Sequence, residues 1–383
     1  MNVCLGGRRR HYRTVAFDLR RNAVLLIDQR RLPFEFAILA TRDYRQTAQA
    51  IRDMAVRGAG AIGATAAYGL AQGARAFRGR DLAKFRAHIE GVYETLATAR
   101  PTAVDPVNAL NRVRMRMGSG IDVVAQQALA FTAAEAYAEE DVAHCQAIGR
   151  HGARLIRQGM RVLTHCNAGW LAFVDIGSAT APLYEAQRQG TQFEVFCDET
   201  RPRCQGASLT AWELAQQGLR HRVIADNAAG YLMQKGEIDL VIVGADRVLG
   251  RTGEVANKIG TYTKAVLAHR HGIPFYVAIP LSTIDWHLRD GRDIPIEERD
   301  ENEVLGVRGR IQASRGKSNG TGAKRGRLVY VRVANPTSSA LNPGFDVTPP
   351  ELVTGLITPV GILKPQALWG MRRQLGFVVG VKP

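Results

Sequence analysis

The sequence predicts an α/β chain in two parts: a mostly helical N-terminal domain with a small β element, then a Rossmann-like C-terminal domain built on a parallel sheet. Three observations predict it. From about Gly149 to Ile279, short β-branched runs alternate with helix-length segments, the pattern of βαβ units. Five of those runs stop at clusters of polar or reactive residues, and open parallel sheets bind ligands outside the carboxyl ends of their strands. Before Gly149 the apolar spacing is that of helices. With 383 residues the chain is too long for one typical core, so domains are expected at 1–148 and 149–383.

In chain order, Thr14–Phe17 and Ala23–Ile27 alternate like a small hairpin or meander. Thr47–Val56 places Ala48, Ile51, Met54 and Ala55 on one helical face. Ala61–Phe77, Asp81–Leu96 and Ile121–Ile148 continue as helices, the last with Glu135, Glu139 and Glu140 facing outward. The five strand runs are Val162–Leu163, Phe193–Phe196, Val223–Ala225, Leu240–Val243 and Phe275–Ile279. Each feeds a polar cluster: Thr164 to Gly169, Cys197 to Pro202, Asp226–Asn227, Gly244 to Arg247, and Pro280 to Thr283. Between Gly306 and Asn342 the pattern breaks. Val307–Ile311 and Arg327–Val333 are expected to pair as a hairpin beneath a low-complexity tip at Ser314–Gly322. That segment is expected to be a surface excursion without a catalytic role.

Composition narrows the function classes. No apolar run approaches the ~20 residues that span a bilayer, and the start of the chain lacks the apolar stretch of a secretory signal, so a cytoplasmic protein is expected. Five cysteines, an odd number without paired CxxC spacing, read as reduced thiols rather than a disulfide framework. The histidines show no metal-ligand spacing, and no metal is expected. A net charge of +16 invites a nucleic-acid reading. Eight of the basic groups, however, lie in the acid-free stretch between Val304 and Phe345, which reads as a solvated loop, so nucleic-acid binding is not expected.

The motifs carry competing readings. Gly58–Gly63 matches GxGxxG literally, but a dinucleotide fingerprint needs a preceding strand, and a helix precedes it here. The alternatives are close packing of small residues, or an anion site made of Arg57 and N–H groups at a helix start. Arg100 before Pro101-Thr102 is either a phosphate ligand or a helix end before a breaker. Cys166 is either a small buried hydrophobe or, at a strand-to-helix loop, a thiolate candidate. Asp246 is either an N-cap or a partly desolvated general acid, with Asn257-Lys258 close behind. Arg201, Arg203 and Gln205 offer further polar ligands.

Taken together, Arg57-Gly58-Ala59, Arg100 to Val104, His165 to Gly169, Asp198 to Arg203, Gln205 to Ala207, Gly244 to Arg247, Val255 to Thr261 and Asn342 to Pro349 resemble the methylthioribose-1-phosphate isomerase family. The resemblance runs from about residue 11 to about residue 365. The same fold family includes ribose-1,5-bisphosphate isomerases and non-catalytic regulatory subunits of the translation-initiation exchange factor. It implies an aldose–ketose isomerase of methionine salvage acting on a sugar phosphate, without cofactor, as a homodimer. By that resemblance Cys166 and Asp246 are the catalytic pair, and Arg57, Gly58, Ala59, Arg100, Gln205, Asn257 and Lys258 bind substrate. The chain departs from the family pattern at Gly60, where Pro is usual, and at Trp170, where Ala is more usual and a narrower pocket is expected. The loop from Asp246 to Asn257 is one residue longer than common, and the basic segment is longer than in compact members.

Overall fold

The computed structural model describes residues 1–100, 104–311 and 326–376. Its centre is a seven-stranded sheet in the order Gly361–Leu363, Gly355–Thr358, Phe275–Ala278, Leu240–Val243, Arg161–Thr164, Glu194–Asp198, His221–Ile224. Every pairing is parallel except that of the edge strand Gly361–Leu363. The five expected strands are all present within a residue or two. A sixth parallel strand, Gly355–Thr358, completes the set.

Both faces of this sheet are apolar because successive side chains point to opposite sides, and helices cover both. Leu163, Phe196, Val241, Val243 and Val277 pack on one side with Ala229, Met233 and Ala265. Val162, Val195, Leu240, Ile242 and Ile357 pack on the other with Ile148, Leu183 and Leu214.

The N-terminal part is helical around a three-stranded antiparallel meander, Val15–Asp18, Ala23–Ile27 and Ile38–Thr41. Its helices are Tyr44–Arg52, Ala59–Ala76, Leu82–Ala97, Val104–Met117 and Val123–Ala153. Asp81 caps the third by accepting from the N–H groups of Ala83 and Lys84. The helix Ala59–Ala76 is buried on every side from Gly60 to Ala74, which explains its Ala/Gly composition. A Cβ on Gly60 would lie 2.3 Å from Asp141 Oδ1 and 2.6 Å from Phe173, so the absent side chain is a packing requirement. The long helix ends five residues beyond the expected Ile148. Ala130, Ala134 and Ala138 belong to the N-terminal core, while Ile148 and Ala153 pack under the central sheet.

A second, four-stranded sheet stands at the carboxyl edge of the first, in the order Ile284–Asp285, Arg247–Leu249, Val255–Lys258, Phe345–Thr348. Its register pairs Asn257 with Asp346 and Lys258 with Phe345, which brings two distant motifs together. The expected hairpin forms from Gly306–Arg310 and Leu328–Arg332; its tip at Ser314–Gly322 lies outside the described residues. No described helix is long and apolar enough to cross a membrane.

Candidate active site

Cys166 and Asp246 emerge from neighbouring parallel strands, Arg161–Thr164 and Leu240–Val243. The strand order reverses between those two: the chain builds outward from Arg161–Thr164 in one direction and from Leu240–Val243 in the other. Ligand crevices form at such switch points. Here the crevice is a cleft, and all nine site residues implied by the resemblance line it: Arg57, Gly58, Ala59, Arg100, Cys166, Gln205, Asp246, Asn257 and Lys258.

The backbone around Cys166 is held under strain. Cys166 has φ +66° and Thr200 φ +63°, the left-handed region that costs non-glycine residues about 1–3 kcal/mol each. Hydrogen bonds offset that cost. The Cys166 N–H donates to Thr200 Oγ1 at 2.8 Å, and its carbonyl accepts from Thr210 Oγ1 at 2.7 Å. The next five residues wrap the buried Glu213 carboxylate, which accepts from Asn167 Nδ2 (2.9 Å), Trp170 N (3.1 Å), Leu171 N (3.0 Å) and Tyr184 Oη (3.2 Å). Burial pushes the Glu213 carboxyl up to about 7, with those donors pulling the other way. Any Cβ at Gly169 would fall 1.7 Å from Glu213 Oε2, so the HCNAG run needs its glycine.

Arg57 reaches the same loop, donating from Nη2 to the Asn167 carbonyl at 2.7 Å. Gly58 follows at φ +91° as N-cap of Ala59–Ala76, with Ala172 close enough to exclude any side chain. The N-terminus of an 18-residue helix therefore opens beside a buried guanidinium, a favourable place for an anion. The GxGxxG run thus packs tightly, and it also starts a helix at the cleft.

The cations of the cleft divide into two groups. Arg100 pairs with Glu297 at 3.3 Å, and Arg299 pairs with Glu303 at 2.9 Å. Arg57 and Lys258 instead donate to backbone carbonyls, Lys258 Nζ to Gly344 at 2.6 Å, and form no ion pair with a carboxylate among the described residues. Arg57 Nη1 and the oxygens Gln205 Oε1 and Asn167 Oδ1 are buried with no hydrogen-bond partner among the described residues. Buried polar atoms of that kind are rare unless a ligand satisfies them. Burial lowers Lys258 to about 8, and the charge of Cys166 opposes that shift. Burial raises the Asp246 carboxyl, while Arg247, Arg100 and Lys258 pull it back. Asp105, on Val104–Met117, is raised by burial to about 7, and the charge of Asp246 adds to it.

Several residues of the site were not singled out from the sequence. Met54, Ile62, Phe173, Arg299 and Phe345 also line the cleft. Arg299 comes from the acid-rich run Glu297–Glu301, where its only sequence signal is the i,i+4 spacing to Glu303. Two expectations are corrected. Trp170 lies fully buried away from the cleft, against Trp212 and near Ile27 and Leu32, because the turn after Gly169 swings it toward that apolar cluster. Arg201 is no cleft ligand: its guanidinium binds the carbonyls of Glu303, Val304 and Gly306 and anchors the base of the hairpin. Pro101, Thr102 and Ala103 lie outside the described residues. His165, Asp198 and Asp226 bring potential metal ligands within 4.8 Å of one another. Asp198 Oδ2 lies between His165 Nδ1 (2.8 Å) and Lys264 Nζ (3.2 Å), Asp198 Oδ1 is buried without a partner among the described residues, and Asp226 accepts from Thr200 N and Arg201 N.

The chain can now be set beside known proteins. Residues 55–365 match the Initiation factor 2 subunit family. The methylthioribose-1-phosphate isomerase of Methylorubrum populi is 50% identical over 361 residues, covering 92% of this chain and 93% of that protein. The namesake enzyme of Methylobacterium nodulans is 51% identical over 366 residues, with the same coverage of 92% and 93%. Among solved structures, 5-methylthioribose 1-phosphate isomerase from Pyrococcus horikoshii OT3 superposes with a TM-score of 0.81 at 40% identity, covering 96% of each chain. Translation initiation factor eIF-2B, subunit delta, from A. fulgidus gives 0.79 at 39% identity, covering 96% of this chain and 100% of that one. The fold is therefore shared by proteins named as enzymes and as initiation factors, and the sequence relatives separate them. The chain belongs to the Initiation factor 2 subunit family and, within it, groups with the methylthioribose-1-phosphate isomerases.

Proposed function

We propose that this protein is an aldose–ketose isomerase that converts 5-methylthioribose 1-phosphate to 5-methylthioribulose 1-phosphate in methionine salvage. The observation that carries the reading is the cleft at the switch point, lined by Cys166 and Asp246 from neighbouring strands, where Arg57 and Lys258 form no ion pair with a carboxylate among the described residues. One anionic group between those two cations fits a sugar bearing one phosphate. The apolar wall of Met54, Ile62, Phe173 and Phe345 suits a thioether at C5.

The C1 oxygen of this substrate is esterified, so its ring cannot open as a free sugar does. Asp246, whose carboxyl is raised by burial, donates a proton to the ring oxygen, and the bond from that oxygen to C1 breaks. Hydrogen must then move from C2 to C1 while the C2 hydroxyl gives its proton back to the Asp246 carboxylate and becomes a carbonyl. Cys166 is the base that takes the C2 proton and returns one at C1 in an enediol route. In a direct hydride shift it would stabilise the cation instead. Arg57, Lys258 and Arg299 line the cleft together with Cys166, and cations placed around that sulfur support the base role. Arg57, the Gly58-Ala59 helix start, Arg100, Gln205, Asn257 and Lys258 hold phosphate and hydroxyls. These steps use no cofactor.

Two further features belong to this reading. The strand order, 3-2-1-4-5-6 when counted from Arg161–Thr164, supports a Rossmann-like catalytic domain from about residue 149, with 1–148 as the helical domain and Val123–Ala153 shared between them. Exposed Tyr231, Tyr262 and Val266, on adjacent helices, offer an apolar face that a second copy of the chain would cover in a homodimer. The test of the activity is steady-state turnover of 5-methylthioribose 1-phosphate beside ribose 1,5-bisphosphate. The methylthio sugar is expected to have the higher kcat/KM; an equal or higher value for the bisphosphate would overturn the substrate assignment.

A further inference from the structure

One wall of the cleft carries positive charge that is already spoken for. Glu303 receives Arg299 bidentately, Nε to Oε2 and Nη2 to Oε1, both at 2.9 Å. It also receives Arg203 Nη1 on Oε1 at 3.1 Å and Asn342 Nδ2 on Oε2 at 3.3 Å. Between the two guanidiniums sits the Met54 thioether, with Sδ 2.9 Å from Arg203 Nη1 and 3.2 Å from Arg299 Nη2. Met54 itself has φ +52°, so the backbone is bent to present that side chain. Met54, Arg57 and Gln205 line both the cleft and a neighbouring pocket that contains Arg203, Arg308 and Leu328. The clamp therefore lies where the two spaces meet.

The carboxylate is placed by the segment after the cleft motifs. Glu303 stands on the short helix Asn302–Leu305, directly before the hairpin strand Gly306–Arg310, and Arg201 grips the carbonyls of that helix. The base of the basic excursion is thus part of the wall, closer to the site than a simple outward loop. Arg203 and Arg299 have the fork geometry that would take a phosphate bidentately. A second phosphate that took these guanidiniums would have to displace the Glu303 carboxylate from both, at the cost of a desolvated like-charge contact. A neutral thioether meets no such penalty.

We propose that Glu303 is a specificity-determining residue: by holding Arg203 and Arg299 against Met54 it excludes sugars that carry a second phosphate, and so selects an uncharged C5 substituent. This rests on the isomerase reading above. The test is Glu303→Gln, with Glu303→Asp as the charge-keeping control, each assayed with 5-methylthioribose 1-phosphate and ribose 1,5-bisphosphate. The Gln variant is expected to shift the kcat/KM ratio at least tenfold toward the bisphosphate, mainly through its KM, and the Asp variant to restore the wild-type ratio. A ratio within threefold of wild type in folded Glu303→Gln overturns the proposal, as does an equal shift in Glu303→Asp. Should the Gln variant not fold, competitive inhibition of the wild type carries the test. There the bisphosphate should bind at least tenfold more weakly than the methylthio sugar, and equal or tighter binding overturns the proposal. A wild type that turns over neither sugar defeats the isomerase reading itself, whereas one active on the methylthio sugar with an unmoved ratio defeats only this inference.

Discussion

Lys258 is a buried ammonium of the cleft that forms no ion pair with a carboxylate among the described residues. Burial lowers it to about 8, which places its charge change just above neutrality. The sign follows directly: Lys258 is cationic below about 8 and neutral above it, while a phosphate monoester, with a second pKa of about 6, stays a dianion throughout that range. Substrate binding should therefore weaken as pH rises through 8. The expected outcome is a KM that climbs at least fivefold between pH 7 and 9, with Lys258→Arg removing the climb because guanidinium stays charged. A KM flat to pH 9.5 in the wild type would remove Lys258 from phosphate binding. The raised carboxyl of Asp246 acts separately, on kcat, since a general acid is lost as pH passes above its own value.

Among the elements, the loop after Arg161–Thr164 depends on a partner far along the chain. Glu213→Ala would leave the N–H groups of Trp170 and Leu171, the Asn167 amide and the Tyr184 hydroxyl without their acceptor. A loss of about 3–5 kcal/mol is expected in denaturant unfolding. Glu213→Gln, which retains one acceptor, should lose about 1–2 kcal/mol. A loss under about 1 kcal/mol for the Ala variant would show that the loop holds itself. This dependence also marks how far the sequence is legible. The strands were readable because both their faces are apolar and their ends polar, a local pattern. Ile38–Thr41 was missed because it is half-exposed and short, and Val104–Met117 because Pro106 and its arginines blur the helical period. Glu213, Arg299 and Glu303 gave no local signal: each matters only through what tertiary folding sets beside it. Cys166 and Asp246 were visible because a strand end is itself a local feature, and their roles rested on the resemblance of many motifs at once.

At the scale of the whole molecule, one topological fact organises the rest. The parallel strands fan out in two directions from Arg161–Thr164 and Leu240–Val243, and the gap between their ends is where the helical half delivers Arg57 and the Ala59–Ala76 helix start. The small sheet of Arg247–Leu249, Val255–Lys258 and Phe345–Thr348 closes the other side with Asn257, Lys258 and Phe345. Residues more than two hundred positions apart thus converge on two strand ends, and the account assigns the chemistry to the side chains standing there. The direct measurement is turnover and binding of 5-methylthioribose 1-phosphate by Asp246→Asn and Cys166→Ser beside the wild type. The amide fills the carboxyl's space but cannot donate the ring-opening proton, and a hydroxyl is a far poorer anion than a thiol near neutrality. The account predicts that Asp246→Asn binds the sugar with only modest weakening yet shows no measurable kcat, and that Cys166→Ser loses several orders of magnitude in kcat. Either folded variant keeping about a tenth of the wild-type kcat, a deficit of only ~1.4 kcal/mol in the barrier, would contradict it.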